Sequence, residues 1–187
     1  MNTYFLSDLH FGHKNILAFD NRPFTDIEKH DAALIENWNS VVGIDDDVWI
    51  LGDISWHNST TTTKILQNLN GNKHLCVGNH DKKLLKYKPF RDEFVEIVDY
   101  KELSLPEGNV VLCHYPMPCF NNHFYGWYHL YGHVHNSFEA NIMEHTKREM
   151  TDLYGKMCRM YNVGVMMPYM EYKPKTLEEI VSLTQTK

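Results

Sequence analysis

The chain has 187 residues, of which 43% are hydrophobic and 22% are charged, a composition typical of ordinary globular proteins. This length predicts one domain over residues 1–187, with enough chain for a sizeable core. A formal charge of −6 and a sequence pI near 6.0 argue against the overall basic surface by which many proteins grip nucleic acid.

The N-terminus and the cysteines indicate the cellular compartment. Residues 1–3 carry no cationic side chain, and the apolar run over residues 4–6 is too short for an export signal. No apolar run reaches membrane-spanning length. The four cysteines form no Cys-x-x-Cys pair, so neither a zinc knuckle nor a redox motif is expected. We therefore predict a cytoplasmic protein without a membrane partner.

The chain opens with a short apolar strand over residues 3–6, which runs directly into Asp8 and His10. Residues two apart in an extended segment point to the same side, so these two side chains should project together. A loop with Arg22 follows. The sequence leaves open whether this arginine contacts a substrate or is a solvated surface cation.

Three elements are predicted in the next part of the chain. Residues 26–42 carry a helical apolar stripe, and residues 59–69 predict a second helix. Between them lies a strand over 48–51 that ends in Gly52-Asp53. The acidic run at 45–47 lacks the spacing of a calcium loop and is interpreted as a solvated turn.

A strand over residues 74–77 delivers Gly78-Asn79-His80-Asp81, and later strands end in the same manner. Residues 103–105 and 110–113 predict a hairpin that leads to His114. A further strand over 128–131 leads to His133 and His135. The remaining predictions are a short helix at 82–86, a strand at 94–98, partial helical character at 143–153, a strand at 160–165 and a helix at 176–183.

Two segments are left open by the sequence. The aromatic stretch 119–127 is interpreted either as part of a substrate pocket or as a loop covering the sheet. The segment 136–160 has no well-determined structure. Strands alternating with helices and then predominating predict a layered α/β or α+β fold.

The polar residues that end these strands share one property: each follows an apolar run. Since sites in layered α/β proteins gather at the carboxyl ends of strands, one sheet edge is expected to hold all of them. They are Asp8, His10, Asp53, Asn79, His80, His114, His133 and His135.

The order Asp-x-His, Gly-Asp, Gly-Asn-His-Asp, His and Gly-His-x-His resembles the calcineurin-like metallophosphoesterase superfamily, in its small bacterial or phage form. The match spans Asp8 to His135. The resemblance implies a four-layer αββα sandwich, with two mixed β-sheets flanked by helices and a metal site at the carboxyl ends of strands.

The resemblance also implies a dinuclear metal centre with assigned ligands. One ion would be held by Asp8, His10, Asp53 and His135, and Asp53 would bridge to a second ion held by Asn79, His114 and His133. His80 would stand near the leaving group as a proton donor, with Asp81 orienting it. Arg22, His13 and Lys14 are candidates for binding the phosphate.

The ligand chemistry is consistent with this assignment. Oxygen and nitrogen ligands suit Mn, Fe, Ni, Co or Zn. We expect two divalent ions, and Mn²⁺ is the favoured metal. Two such ions against two carboxylates leave a net charge of about +2, which attracts phosphate although the whole chain is negative. The reaction implied is attack by a metal-activated hydroxide on a phosphate ester.

The expected substrate is a small or nucleotide-derived phosphodiester. A phosphomonoesterase is the alternative within the same chemistry, and a non-catalytic metal-binding scaffold is the alternative from another class. A nuclease is disfavoured because no basic stripe with interleaved aromatic residues is visible.

One departure from many relatives is Ile54-Ser55-Trp56-His57 after the Gly-Asp block, where those relatives carry an arginine. A homo-oligomer is compatible with the sequence.

Overall fold

Nine strands divide between two mixed sheets in the computed structural model, which describes residues 1–185. The strands are β1 (Thr3–Leu6), β2 (Asp47–Ile50), β3 (Asn72–Cys76), β4 (Phe94–Val98), β5 (Tyr100–Leu105), β6 (Gly108–Cys113), β7 (Tyr128–Tyr131), β8 (Met160–Asn162) and β9 (Lys175–Thr176). The helices that flank the sheets are α1 (Ile16–Phe19), α2 (Ile27–Val41), α3 (Ser59–Gln67), α4 (Lys88–Arg91), α5 (Phe138–Tyr154) and α6 (Leu177–Gln185). The predicted fold class is confirmed.

The strand directions bring several carboxyl ends to one place. The first sheet has the order β4-β3-β2-β1-β9, with β1 to β4 parallel and β9 antiparallel to β1. The second has the order β5-β6-β7-β8, with β6, β7 and β8 parallel. The backbone after β1 pairs with the backbone after β8, since Ser7 N donates to Val163 O at 2.9 Å.

A shared hydrophobic core holds the two sheets together. Phe5, Ile50 and Leu75 from the first sheet lie in one buried cluster with Leu112 and Leu130 from the second. All five are fully buried. Each such side chain stabilises the fold by roughly 1.5–3 kcal/mol through the removal of apolar surface from water. The strand ends are therefore fixed on a rigid base.

Helices α2 and α6 begin where the sequence predicts. Asp26 caps α2 by accepting a hydrogen bond from Lys29 N at 2.8 Å. Thr176 precedes α6 and exchanges hydrogen bonds with Glu179, the reciprocal arrangement of a capping box. The predicted helix at 59–69 is observed as α3, which ends two residues earlier.

Other elements differ from the prediction. Residues 82–86 belong to a 3₁₀ helix, Asp81–Lys86. The helix at 143–153 is part of the longer α5, in which Met150 is the one buried residue. With so little apolar surface buried, the sequence pattern for this helix was weak. No helix in the described residues is long and apolar enough to cross a bilayer.

Candidate metal centre

Four side chains from three loops converge at the carboxyl ends of the first sheet and the β7 strand. Asp8, His10, Asp53 and His135, called the quartet below, present ligand atoms that all lie within 4.8 Å of one another. The Nε2 atoms of His10 and His135 are 3.1 Å apart. The quartet is the same set that the family resemblance implies for the first ion.

The other three predicted ligands form a second group, called the trio. Asn79 Oδ1 lies 2.9 Å from His114 Nε2 and 3.0 Å from His133 Nδ1. These residues follow β3, β6 and β7. The structure therefore brings together all seven predicted ligands.

Asp53 lies between the two groups, with one carboxylate oxygen toward each. Its Oδ2 atom is 3.9 Å from His10 Nε2 in the quartet, and its Oδ1 atom is 3.7 Å from His114 Nε2 in the trio. Oδ1 also accepts a hydrogen bond from His80 N at 3.0 Å. This placement is what a carboxylate bridging two ions requires.

The backbone at the ligands is constrained in an unusual way. All four quartet residues have left-handed φ angles, 56° at Asp8, 53° at His10, 56° at Asp53 and 50° at His135. Such angles cost about 1–3 kcal/mol each for residues other than glycine, and they cluster at functional sites. Asp and His tolerate this region better than most residues.

Two glycines in the motifs allow the loops to approach one another. A Cβ at Gly132 would lie 2.5 Å from Asp8 Oδ2 and 2.7 Å from Ser7 Cβ. A Cβ at Gly78 would lie 2.5 Å from Asp53 N. These distances are shorter than any ordinary carbon contact. The glycines that precede the ligand residues are therefore needed for packing around the site.

Asp81 has a different place from the one predicted. Its fully buried carboxylate accepts hydrogen bonds from the backbone N–H groups of Asp53, Ile54 and Gly78, at 2.8–3.0 Å. It thus ties the loop after β2 to the loop after β3. Both carboxylate oxygens are engaged there, which corrects the expectation that Asp81 orients the His80 ring.

Arg22 is likewise not available to a substrate. Its side chain is buried, and its five N–H donors are directed to Asp20, the backbone oxygens of Asp8 and Leu9, and His30. The expectation that Arg22 binds phosphate is corrected by this arrangement. The arginine instead stabilises the loop that carries Asp8 and His10.

The partner of Arg22 also positions a ligand. Asp20 contacts His135 Nδ1 at 3.0 Å and Arg22 at 2.8 Å. Burial opposes ionisation of Asp20, but the hydrogen bond with His135 and the guanidinium outweigh it and lower its pKa. An ionised Asp20 holds the His135 proton on Nδ1, which leaves Nε2 free to coordinate an ion.

The pKa directions of the histidines follow from burial and from their neighbours. Burial, reinforced by the charge on His135, holds the pKa of His10 well below its usual range. Burial also acts to lower the pKa of His135, but the Asp20 hydrogen bond and the Asp8 charge reverse this and raise it. His10 is therefore neutral at pH 7, as a metal ligand must be.

Ionisation of the buried Asp53 carboxyl is unfavourable when no cation lies beside it. Burial raises its pKa to about 7, against the opposing influence of His114. Nearby Asp8 adds to the increase. A buried carboxylate that ionises this reluctantly needs a positive partner, and a divalent ion between the seven side chains would supply one.

The donor set fits a divalent ion. His114 Nδ1 donates to Leu51 O at 2.7 Å, and Nε2 of the same ring faces Asn79 Oδ1 at 2.9 Å. Ring nitrogens each about 2.0–2.1 Å from one ion would also lie roughly 3 Å apart, close to the His10–His135 separation.

A cavity of about 410 Å³ opens beside the quartet. Its wall includes His80, whose side chain is 46% exposed and whose Nε2 lies 3.9 Å from Asp53 Oδ2. His13 lines the same cavity and stacks on Trp56, with 4.1 Å between the ring centroids. Lys14 and the segment 119–127 do not line it; within that segment Phe120 packs against the second sheet.

Two participants were missed at the sequence level. The first is Asp20, which stands two residues before Arg22 in the same loop. An acidic and a basic side chain this close in the sequence could have indicated an ion pair. Trp56 lies within 4.7 Å of the His10 ring and 4.2 Å of the His80 ring, centroid to centroid. Its position in the sequence gave no indication of this contact.

Comparison with known proteins finds relatives over the whole chain. The uncharacterized protein MJ1445 of Methanocaldococcus jannaschii is 31% identical over 185 residues, which cover 97% of this chain and 90% of that protein. The gene 66 protein of Mycobacterium phage L5 is 48% identical over 85 residues, covering 43% of this chain and 40% of the phage protein. No protein-family model matches the chain.

A solved structure shows the same fold. The protein of unknown function AQ665 from Aquifex aeolicus superposes with a TM-score of 0.63 and 25% identity, over 97% of this chain and 98% of that one. The nuclease MPE of Pseudomonas putida gives a TM-score of 0.44 and 22% identity, over 71% of this chain and 60% of the nuclease. Likeness at the latter level says nothing about activity.

Proposed function

The chain belongs to the same family as the uncharacterized protein MJ1445, and from its site we propose that it is a metal-dependent phosphoesterase that hydrolyses phosphodiesters. The observation that carries the proposal is the meeting of the quartet and the trio at Asp53. The order of the five motif blocks and the two mixed sheets support membership of the calcineurin-like superfamily.

Two divalent ions, proposed to be Mn²⁺, would be held by the quartet and the trio. When bound, they would lower the pKa of a water molecule and polarise the phosphoryl oxygens. The remaining tasks fall to the chain itself. Asp20 and Arg22 keep His135 and the loop after β1 in place, and Asp81 fixes the loops after β2 and β3.

His80 is proposed to supply the proton at the leaving oxygen. It lines the cavity, and its ring lies beside the quartet without belonging to it. Burial lowers its pKa, but a bound phosphate adds negative charge that favours the protonated ring. A positioned proton donor contributes typically 10²–10⁴-fold when the leaving group is a poor one.

The test compares two chromogenic esters. Metal-stripped protein reloaded with Mn²⁺ is assayed on bis(p-nitrophenyl) phosphate and p-nitrophenyl phosphate, with a chelated sample as control. We expect metal-dependent cleavage of the diester and little turnover of the monoester. Preference for the monoester would make the protein a phosphomonoesterase, and no turnover with metal bound would favour the scaffold alternative.

His80→Gln separates the proton donor from the metal site. On a thymidine dinucleotide, whose leaving alkoxide needs a proton, we expect a loss of about 10²–10⁴-fold. On bis(p-nitrophenyl) phosphate the loss should be small, because nitrophenolate leaves without one. Equal losses on both substrates would show that His80 acts in some other way.

A further inference from the structure

Two cavities meet at a wall formed by Trp56 and His80. The first, called the inner chamber, is the 410 Å³ cavity that touches quartet residues. The second, called the side chamber, has a volume of about 470 Å³ and is also lined by Ser55, His57, Asn58, Lys83 and Leu84. Since His80 faces both, a substrate whose phosphorus lies beside His80 can extend into either chamber.

The two chambers differ in charge. The inner chamber is lined by Asp20 and Glu139, and its lining includes no Lys or Arg among the described residues. Lys83 lies in the side chamber, where the described lining includes no Asp or Glu. Among the described lining residues, a Lys or Arg that could attract a second phosphate of the substrate therefore lies only in the side chamber.

Lys83 is available for such a contact. It is exposed, and its ammonium group forms no hydrogen bond or ion pair with any described residue. Nearby Asn58 caps α3, a nine-residue helix, so the positive end of that helix lies at the same chamber. Asp31 contacts this chamber's lining through His57, because its Oδ2 atom is bonded to His57 Nε2 at 3.0 Å.

We propose that the side chamber binds a second phosphate of the substrate, through Lys83. The favoured substrate class is thus a diester with a further phosphate group next to the scissile one, as in a phosphorylated dinucleotide. Its organic part lies against Ile16, Phe19 and Val134 in the inner chamber. This inference rests on the proposed function and narrows its substrate.

The test uses thymidine dinucleotide with and without a 5′-phosphate. For the Mn²⁺-loaded protein we expect a KM roughly two- to fivefold lower for the phosphorylated form, the ratio that one exposed charge contact gives. Lys83→Gln should abolish this ratio and Lys83→Arg should keep it. Lys82→Gln, a neighbouring exposed lysine outside the lining, is the matched control. The ratio should also shrink at high ionic strength.

A binding measurement separates this inference from the proposed function. The same two dinucleotides are made with an uncharged methylphosphonate linkage that is not hydrolysed, and their Kd values are measured by calorimetry. A ratio that falls with Lys83→Gln supports the side chamber, even if no substrate is turned over. A ratio that Lys83→Gln leaves unchanged, or no preference for the phosphate, overturns it even if hydrolysis is fast.

Discussion

The quartet and the trio, which meet at Asp53, differ in how the backbone presents each side chain. Every quartet residue has a left-handed φ angle, whereas His133 alone does so in the trio, at 70°. The strain in the quartet persists because neighbouring loops fix it: Asp8 N donates to Gly52 O and His10 N donates to Asp53 O, each at 3.1 Å.

The residues that hold the ligand side chains in place also differ between the quartet and the trio. The quartet is supported by the buried Asp20–Arg22 pair, which reaches both His135 and the loop of Asp8. In the trio, His114 is anchored on Leu51 O, and Asn79 Oδ1 contacts the rings of His114 and His133, with no buried ion pair behind them among the contacts described. In the proposed two-ion centre, the quartet would therefore bind its ion more tightly than the trio.

The largest expected effect follows from changing the residue that both halves share. Asp53→Asn keeps the shape but removes the charge that faces the two groups, so both ions should bind weakly. We expect diesterase activity to fall by more than the roughly 10- to 100-fold typical of outer residues around a metal. Activity and bound metal are measured together, with exposed Asp45→Asn as control. Near-normal metal content would refute the bridging role.

A smaller effect, confined to the quartet, is expected for Asp20→Asn. The amide no longer holds the proton of His135 on Nδ1 by charge, so the affinity of the tighter site for Mn²⁺ should fall about 10- to 100-fold. The weaker site should change little. Calorimetric titration of the metal-free protein measures both. A loss confined to the weaker site would reverse our assignment of the two halves.

The smallest effect is a dependence of metal affinity on pH. Burial raises the pKa of Asp53 to about 7. Burial lowers the pKa of His135, but the hydrogen bond with Asp20 and the charge of Asp8 outweigh it and raise that pKa. Below about pH 7 protons on these groups compete with the ion, and above it they do not. The affinity for Mn²⁺ should therefore rise with pH and level off above 7. Asp53→Asn should flatten this rise; an affinity independent of pH would contradict it.

The sequence predicted which side chains meet at the candidate site better than it predicted the residues that support them. The ligand residues follow apolar strands in a recognisable order, and parallel strands bring their carboxyl ends together. Asp81 and Arg22 were placed wrongly because sequence shows residue type but not burial, and a buried charge is engaged by neighbouring backbone groups. The left-handed angles at Asp8 and His135 depend on contacts between distant loops. The short β9 strand has too few residues to give a pattern.

The most direct test of the account is the number of Mn²⁺ ions that the chain binds and whether they interact. Titration with electron paramagnetic resonance should show two ions per wild-type chain, magnetically coupled through the shared carboxylate of Asp53. Asn79→Ala should retain one uncoupled ion in the quartet. A wild-type chain that binds a single ion, or two ions without coupling, would contradict a centre in which Asp53 joins the quartet to the trio.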